Sequence, residues 1–201
     1  MLVAIAGMGL SARAHAEPSE RWKQLEAGEI VREPQVIDHG ERRFVGGVSY
    51  ALTDVSMTEV ATMAGDVDHY AKFLPFTRRA RLLGENDGDR FVEMISGTAL
   101  INVHYTLRFR RQSSTRDGGA LRFWLDPSKP HDVPDAWGYF RWRPVQTAQG
   151  TRVLLTMGIL AELPDDLTRA LFQDRVQRAL LSVLPRLKGG LDDLRLAQKT
   201  P

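Results

Sequence analysis

At 201 residues, with 43% hydrophobic and 26% charged side chains, the chain suits one soluble globular domain with a sizeable core and an N-terminal stretch to spare. A formal net charge of +2, with Lys and Arg scattered through alternating runs, excludes the clustered basic face that nucleic-acid binding needs. The absence of cysteine excludes disulfides, thiolate nucleophiles and cysteine metal sites.

Met1 to Leu10 are apolar or small, and Ala14-His15-Ala16 has the small-x-small pattern read by signal peptidase. Residues 1–16 are therefore expected to be a cleaved leader, and the protein to be exported, periplasmic or secreted. No Lys or Arg precedes the apolar run, which departs from the usual leader. The run is also too short to span a bilayer, which takes ~20 apolar residues. Residues 17–43 form a charged N-terminal extension. Within it Trp22 and Leu25 share a helical face, and Gly28 ends that short helix.

Phe44 to Leu52 reads as a strand, with Gly46-Gly47 marking a bulge or a close backbone approach. Ser56-Met-Thr-Glu59 is a capping-box pattern, and Val60, Met63, Ala64 and Val67 follow at helical spacing. A second short turn runs from Asp68 to Phe73 and is stopped by Pro75. Six strand-like runs come next, at 79–84, 90–95, 101–110, 120–125, 137–145 and 152–160. Asn86-Asp87-Gly88-Asp89 makes one of the turns between them, and Asp117-Gly118-Gly119 another. Ile101, Val103, Tyr105, Leu107 and Phe109 alternate with polar residues, so that strand has one apolar face and one wet face. Short turns between successive strands predict an antiparallel meander.

From Asp165 to about Gln198 the pattern is helical, with Asp165 or Asp166 as cap and a broad Leu-rich stripe. Pro185 and Gly189-Gly190 should kink or interrupt this helix. So wide a stripe needs a partner, and the apolar face of the sheet is the available one.

Taken in order, Asp66-Val-Asp-His-Tyr-Ala-Lys-Phe-Leu-Pro75 and the terminal Leu-rich helix resemble the START-like superfamily, the polyketide cyclase/dehydrase and lipid-transport group. The first stretch is similar to the helix–turn of coenzyme Q-binding and cyclase-like members. The resemblance covers about Phe44 to Leu196, within a domain taken as residues 44–198. It implies an α+β helix-grip fold, in which a curved antiparallel sheet wraps a long C-terminal helix around an internal apolar cavity. Members bind sterols, phospholipids, quinones, plant hormones or polyketides, and fold alone does not choose among them.

The resemblance therefore implies a hydrophobic small-molecule ligand (lipid, sterol, isoprenoid or quinone), no cofactor, and transient membrane contact for ligand exchange. It names no protein partner. The expected walls are Val103, Tyr105, Leu107, Phe123, Leu125 and Met157 from strands, with Phe172 and Val176 from the helix. Tyr70, Phe73 and Phe76 would close one end. Trp137, Tyr139 and Arg141 share strand parity opposite Gly138, Phe140 and Trp142. If the first set faces inward, Arg141 offers a guanidinium to a polar group on the ligand; if the second, Arg141 is solvated and Trp142 is a wall.

His131 with Asp132 and Asp135 is an acid–base candidate, set against the reading of Asp126, Ser128 and Asp132 as turn-formers bonding their own backbone. His69 reads as a surface or capping residue and His104 as solvated. The five histidines, His15, His39, His69, His104 and His131, show no short metal-ligand pair. The leading expectation is a non-catalytic binding or transport protein. A polyketide cyclase/aromatase-type enzyme and an envelope docking module using Trp22, Trp124 or the loop that carries Pro127, Pro130 and Pro134 are the alternatives. The His69–Phe76 turn and the Asp126–Trp137 loop are the candidate gates.

Overall fold

The computed structural model describes residues 18–97, 102–115, 118–164 and 166–199. The expected leader with its Ala14-His15-Ala16 site, and Ile101, Asp117 and Asp165, lie outside the described residues. The element order is α1 (Pro18–Glu26), β1 (Val31–His39), β2 (Arg42–Thr53), α2 (Met57–Gly65), a single turn at Val67–His69 and α3 (Tyr70–Phe73). Then follow β3 (Thr77–Asn86), β4 (Asp89–Gly97), β5 (Asn102–Thr115), β6 (Gly118–Leu125), β7 (Ala136–Thr147), β8 (Gly150–Leu163), α4 (Asp166–Leu181) and α5 (Val183–Lys199).

The strands form one antiparallel eight-stranded sheet in the order β1-β2-β8-β7-β6-β5-β4-β3. The meander from β3 to β8 follows from connections that are short except for the 126–135 loop between β6 and β7. At the first of these, Asp87 (φ 51°) and Gly88 (φ 79°) both adopt the left-handed conformation that matches strand twist in a two-residue hairpin. β2 pairs with β8, so α2 and α3 must carry the chain from one side of the sheet to its far edge.

β1 was not visible in the sequence pattern. Residues 31–39 pair with β2 throughout, so part of the charged segment is an edge strand of the same sheet. Pro34 disguises it, yet a proline is tolerated where one side of the strand has no partner. Ahead of it, α1 lays Leu25 against Leu52, Val145 and Leu154 on the outer face of the sheet, with Trp22 beside them.

The principal core lies on the inner face. Val60, Met63, Ala64 and Val67 of the α2 region and Val183, Leu184, Leu187 and Leu191 of α5 meet Val92, Met94, Leu107, Phe109, Phe140 and Leu155 there. The capping box forms as the sequence spacing requires: Ser56 Oγ accepts from the Glu59 amide (3.2 Å), and Glu59 Oε2 accepts from the Ser56 amide (2.9 Å). Ser56→Ala is expected to cost about 1 kcal/mol in urea unfolding. An unchanged midpoint would show that packing alone holds α2.

The C-terminal helix is two helices, broken at Ser182. Pro185 accounts for the break, because its ring conflicts with the carbonyl of Leu181 and it has no amide to donate. It sits in the first turn of α5, where no donor is required. Ser182 Oγ donates to Ala179 O (2.7 Å) and closes the end of α4. Gly189-Gly190 do not interrupt α5.

Candidate functional site

An apolar cavity of about 230 Å³ lies between the inner face of the sheet, α3 and the α4–α5 junction. Of the residues expected from sequence, Tyr70, Phe73, Tyr105, Leu107, Phe123 and Met157 line it. The strand parity that selects Tyr105 and Leu107 also brings in Phe109; the parity of Phe123 brings in Leu121, and that of Met157 brings in Ile159 and Ala161. Sequence reasoning missed these, although the period-two rule could have found them. Ala64, Leu74, Pro75, Thr77, Met94, Val133, Ala136 and Phe140 complete the wall from the helical segment, strands and loop.

The other expected residues lie off the cavity. Val103 is half-buried and Leu125 buried, but neither reaches the wall. Phe76 (47% exposed), Trp137 (44%) and Phe172 (41%) face outward. Val176 is half-buried, and the helical lining comes instead from Leu180, Val183 and Leu187. The break at Ser182 explains this: α4 packs along β2, tied by Gln177, whose amide donates to Gln35 O (2.9 Å) and Gly46 O (3.0 Å). Only the junction and α5 then turn toward the cavity.

On β7 the second register is the observed one. Phe140 and Trp142 are buried, Arg141 is exposed, and Tyr139 is half-buried on the outer face. Size complementarity on each face decides it. A Cβ on Gly138 would lie 2.3 Å from the Phe123 ring, so the inner face needs the glycine there. On the outer face a Cβ on Gly158 would lie 2.5 Å from the Tyr139 ring. Arg141 therefore offers nothing to the cavity.

The lining carries no charged side chain among the described residues. Its polar side-chain atoms are hydroxyls. The Tyr70 hydroxyl donates to Ala64 O at 2.7 Å. Tyr105 Oη is 3.1 Å from Ser96 Oγ, which is 3.2 Å from Thr77 Oγ1. Burial pushes the Tyr70 phenol up to about 12 and raises Tyr105 as well, so both stay protonated at neutral pH.

The loop after β6 is pinned. Asp126 Oδ1 accepts from Arg108 Nη2 (2.8 Å), the Ser128 amide (3.0 Å) and the Ser128 hydroxyl (2.7 Å). Asp132 accepts the His104 amide (2.8 Å) and returns its own amide to His104 O (2.8 Å). Asp135 accepts from Arg42 (2.6 Å), which also bonds Glu162. His131 is exposed and its Nδ1 contacts Val133 O (2.8 Å), so His131 forms no pair with Asp132 or Asp135. The turn-former reading of Asp126, Ser128 and Asp132 is the one the geometry shows.

His69 Nδ1 contacts Asp66 on the exposed flank of α3, and His104 Nε2 contacts Glu93 (3.2 Å). Among the described residues no group of His, Asp or Glu side chains converges to hold a metal ion. No described helix is long and apolar enough to cross a membrane.

Burial alone would raise the Asp126 carboxyl, but the hydrogen bonds from Arg108 and Ser128 outweigh it and hold the pKa down, at about 2. Its unfolded value is ~3.9. The stability that Asp126 contributes is therefore complete above about pH 4 and is lost as pH falls toward 2. Asp126→Asn should unfold more easily than the parent at pH 6, and the gap in urea midpoint should narrow between pH ~4 and ~2. A gap independent of pH would remove the charge from this account.

No family model matches the chain, and no curated protein matches it. Solved structures do. A STAR-related lipid transfer protein from Xanthomonas axonopodis superposes with a TM-score of 0.55 at 15% identity, over 79% of this chain and 98% of that one. An aromatase/cyclase from a Streptomyces species gives 0.55 at 18% identity, over 75% and 94%. A START superfamily protein from Mycobacterium smegmatis gives 0.53 at 10% identity, over 73% and 97%. The chain thus has the START-like, helix-grip α+β fold.

Proposed function

We propose that this chain is a non-catalytic binding or carrier protein for a hydrophobic small molecule, held in the cavity between the sheet and the α4–α5 junction. The observation that carries this reading is an apolar wall with no charged lining residue among those described. Burying roughly 300 Å² of apolar ligand surface at ~25 cal/mol per Å² supplies about 7 kcal/mol before association costs. That is enough for a ligand without any ionic contact. The titratable groups on the wall are the tyrosines Tyr70 and Tyr105, both raised by burial, which suits donors of hydrogen bonds better than proton shuttles at neutral pH. The named lipid transfer and aromatase/cyclase neighbours share the fold and are consistent with a bound apolar molecule.

Entry is assigned to α3. Phe73 lines both the apolar cavity and a groove between α2, α3 and α5 that carries Thr62, His69, Lys72 and Arg186. The 126–135 loop, tied at Asp126, Asp132 and Asp135, is the poorer gate. Export, with cleavage after Ala16, and brief contact with a membrane during exchange belong to the same proposal. The small-x-small pattern supports the first and the apolar cargo the second.

Purification from the native host, followed by solvent extraction and mass spectrometry, tests the reading directly. One apolar compound at near one per chain establishes a binding protein and names its cargo. Protein that is empty and takes up no apolar compound sinks the proposal. N-terminal sequencing of the same material should begin at Glu17, and an intact Met1 in exported protein would remove the leader.

A further inference from the structure

Besides Tyr70, hydroxyls of the described wall gather at one place, where Thr77 opens β3, Ser96 lies opposite it on β4, and Tyr105 reaches across from β5. Three hydroxyls stand in a row there, joined by contacts of 3.2 Å and 3.1 Å. Each contact uses one proton, whichever oxygen donates, so the row always retains one O–H with no partner among the described residues. Thr77 and Tyr105, the ends of the row, are both on the cavity wall. An unmatched hydroxyl donor in apolar surroundings is costly, and an acceptor on the ligand relieves it. The Tyr70 hydroxyl does not compete, since its proton is held by Ala64 O.

Two further facts bound the ligand. Among the described residues the wall offers no cation, so a carboxylate or phosphate inside it would be buried without a counter-charge. The volume of about 230 Å³ takes only part of a two-chain lipid. It compares with the ~150 Å³ that accepts one benzene ring.

We propose that the Thr77–Ser96–Tyr105 row is the polar anchor of the site, and that the cavity selects an uncharged, two-ring-sized apolar group bearing one hydrogen-bond acceptor oxygen, a ketone or equivalent. This rests on the binding reading above and narrows it: anionic lipid headgroups are excluded from the cavity.

The test uses α-tetralone, tetralin and naphthoate as probes, titrated into the full chain and followed through the methyl resonances of Met94 and Met157, which line the cavity. α-Tetralone should bind about tenfold tighter than tetralin, the worth of one buried hydrogen bond, and naphthoate at least ~100-fold weaker than α-tetralone. The double variant Thr77→Val/Tyr105→Phe should lose the preference for α-tetralone over tetralin. Retained tetralin binding shows that the cavity is intact in the variant. A preference that survives the double substitution overturns the anchor while leaving the cavity in place. Naphthoate binding as tightly as α-tetralone overturns the selection against charge. Failure of the parent chain to bind either neutral probe overturns the binding reading itself, and the anchor with it.

Discussion

Ala161→Trp should abolish uptake of apolar probes while the protein remains folded. Ala161 lies on β8 with its side chain on the cavity wall, opposite Ala136 of β7, which is also on the wall. An indole entering there takes most of a cavity of about 230 Å³, so the space a ligand would occupy becomes protein. The added side chain fills a void, so the usual 1–3 kcal/mol cost of overpacking a dense core should be largely offset by new apolar contact. Tetralin affinity is expected to fall by at least about 100-fold, which corresponds to ~2.7 kcal/mol, with a melting temperature near the parent's. A variant that melts normally and binds normally would place the ligand elsewhere, and the groove that Phe73 also lines would then be the next place to look.

Gly46→Ala should be the most damaging small substitution in the chain. Gly46 sits in the middle of β2, between β1 and β8, at φ +150°. A Cβ there would lie 1.9 Å from the carbonyl oxygen of Ile159. That atom is backbone in a central strand and cannot move without breaking the β2–β8 ladder. The Gly46 carbonyl also receives the Gln177 amide that fastens α4 to the sheet. Backbone strain and steric overlap together should cost about 3–5 kcal/mol in urea unfolding.

Gly189→Ala offers the opposite sign. It lies within α5 with nothing near the added methyl, and should gain about 0.5–1 kcal/mol through helix propensity. Equal effects at the two glycines would mean that the close approach at Gly46 is absent.

The same pair shows what can be read at each level. Gly46-Gly47 could be seen as a bulge or a close approach because glycine inside a strand is otherwise unfavourable. The structure selects close approach: β2 keeps an unshifted register with both of its neighbours. Likewise the spacing Ser56-x-x-Glu59 carries its own cap, since both partners lie within one turn.

The strand meander, the apolar faces of β5 and β8 and the terminal helical stripe are local patterns. They follow from periodicity and turn chemistry, which depend on residues close in sequence. The order of these elements is why the START-like fold is legible in the sequence. Two-thirds of the expected strand walls, namely Tyr105, Leu107, Phe123 and Met157 of six, and both buried aromatics of α3 line the cavity for the same reason.

What the tertiary structure alone decided are matters of relation between distant segments. The face of β7 that turns inward depends on Phe123 seating over Gly138 and Tyr139 over Gly158, contacts between different strands. Period two offered both registers equally, so Arg141 could not be placed. β1 needed β2 beside it to appear as a strand, because its own residues are charged and include Pro34. Phe172 and Val176 missed the cavity because the Pro185 break lets α4 follow β2 before α5 turns inward. The row of Thr77, Ser96 and Tyr105 joins three strands and has no signature in any one of them. Sequence by itself determined the repertoire of elements and their apolar faces, because those are set by short-range sterics and solvent. Which hydroxyls meet, and how large a hollow remains between helix and sheet, are decided by packing across the whole chain.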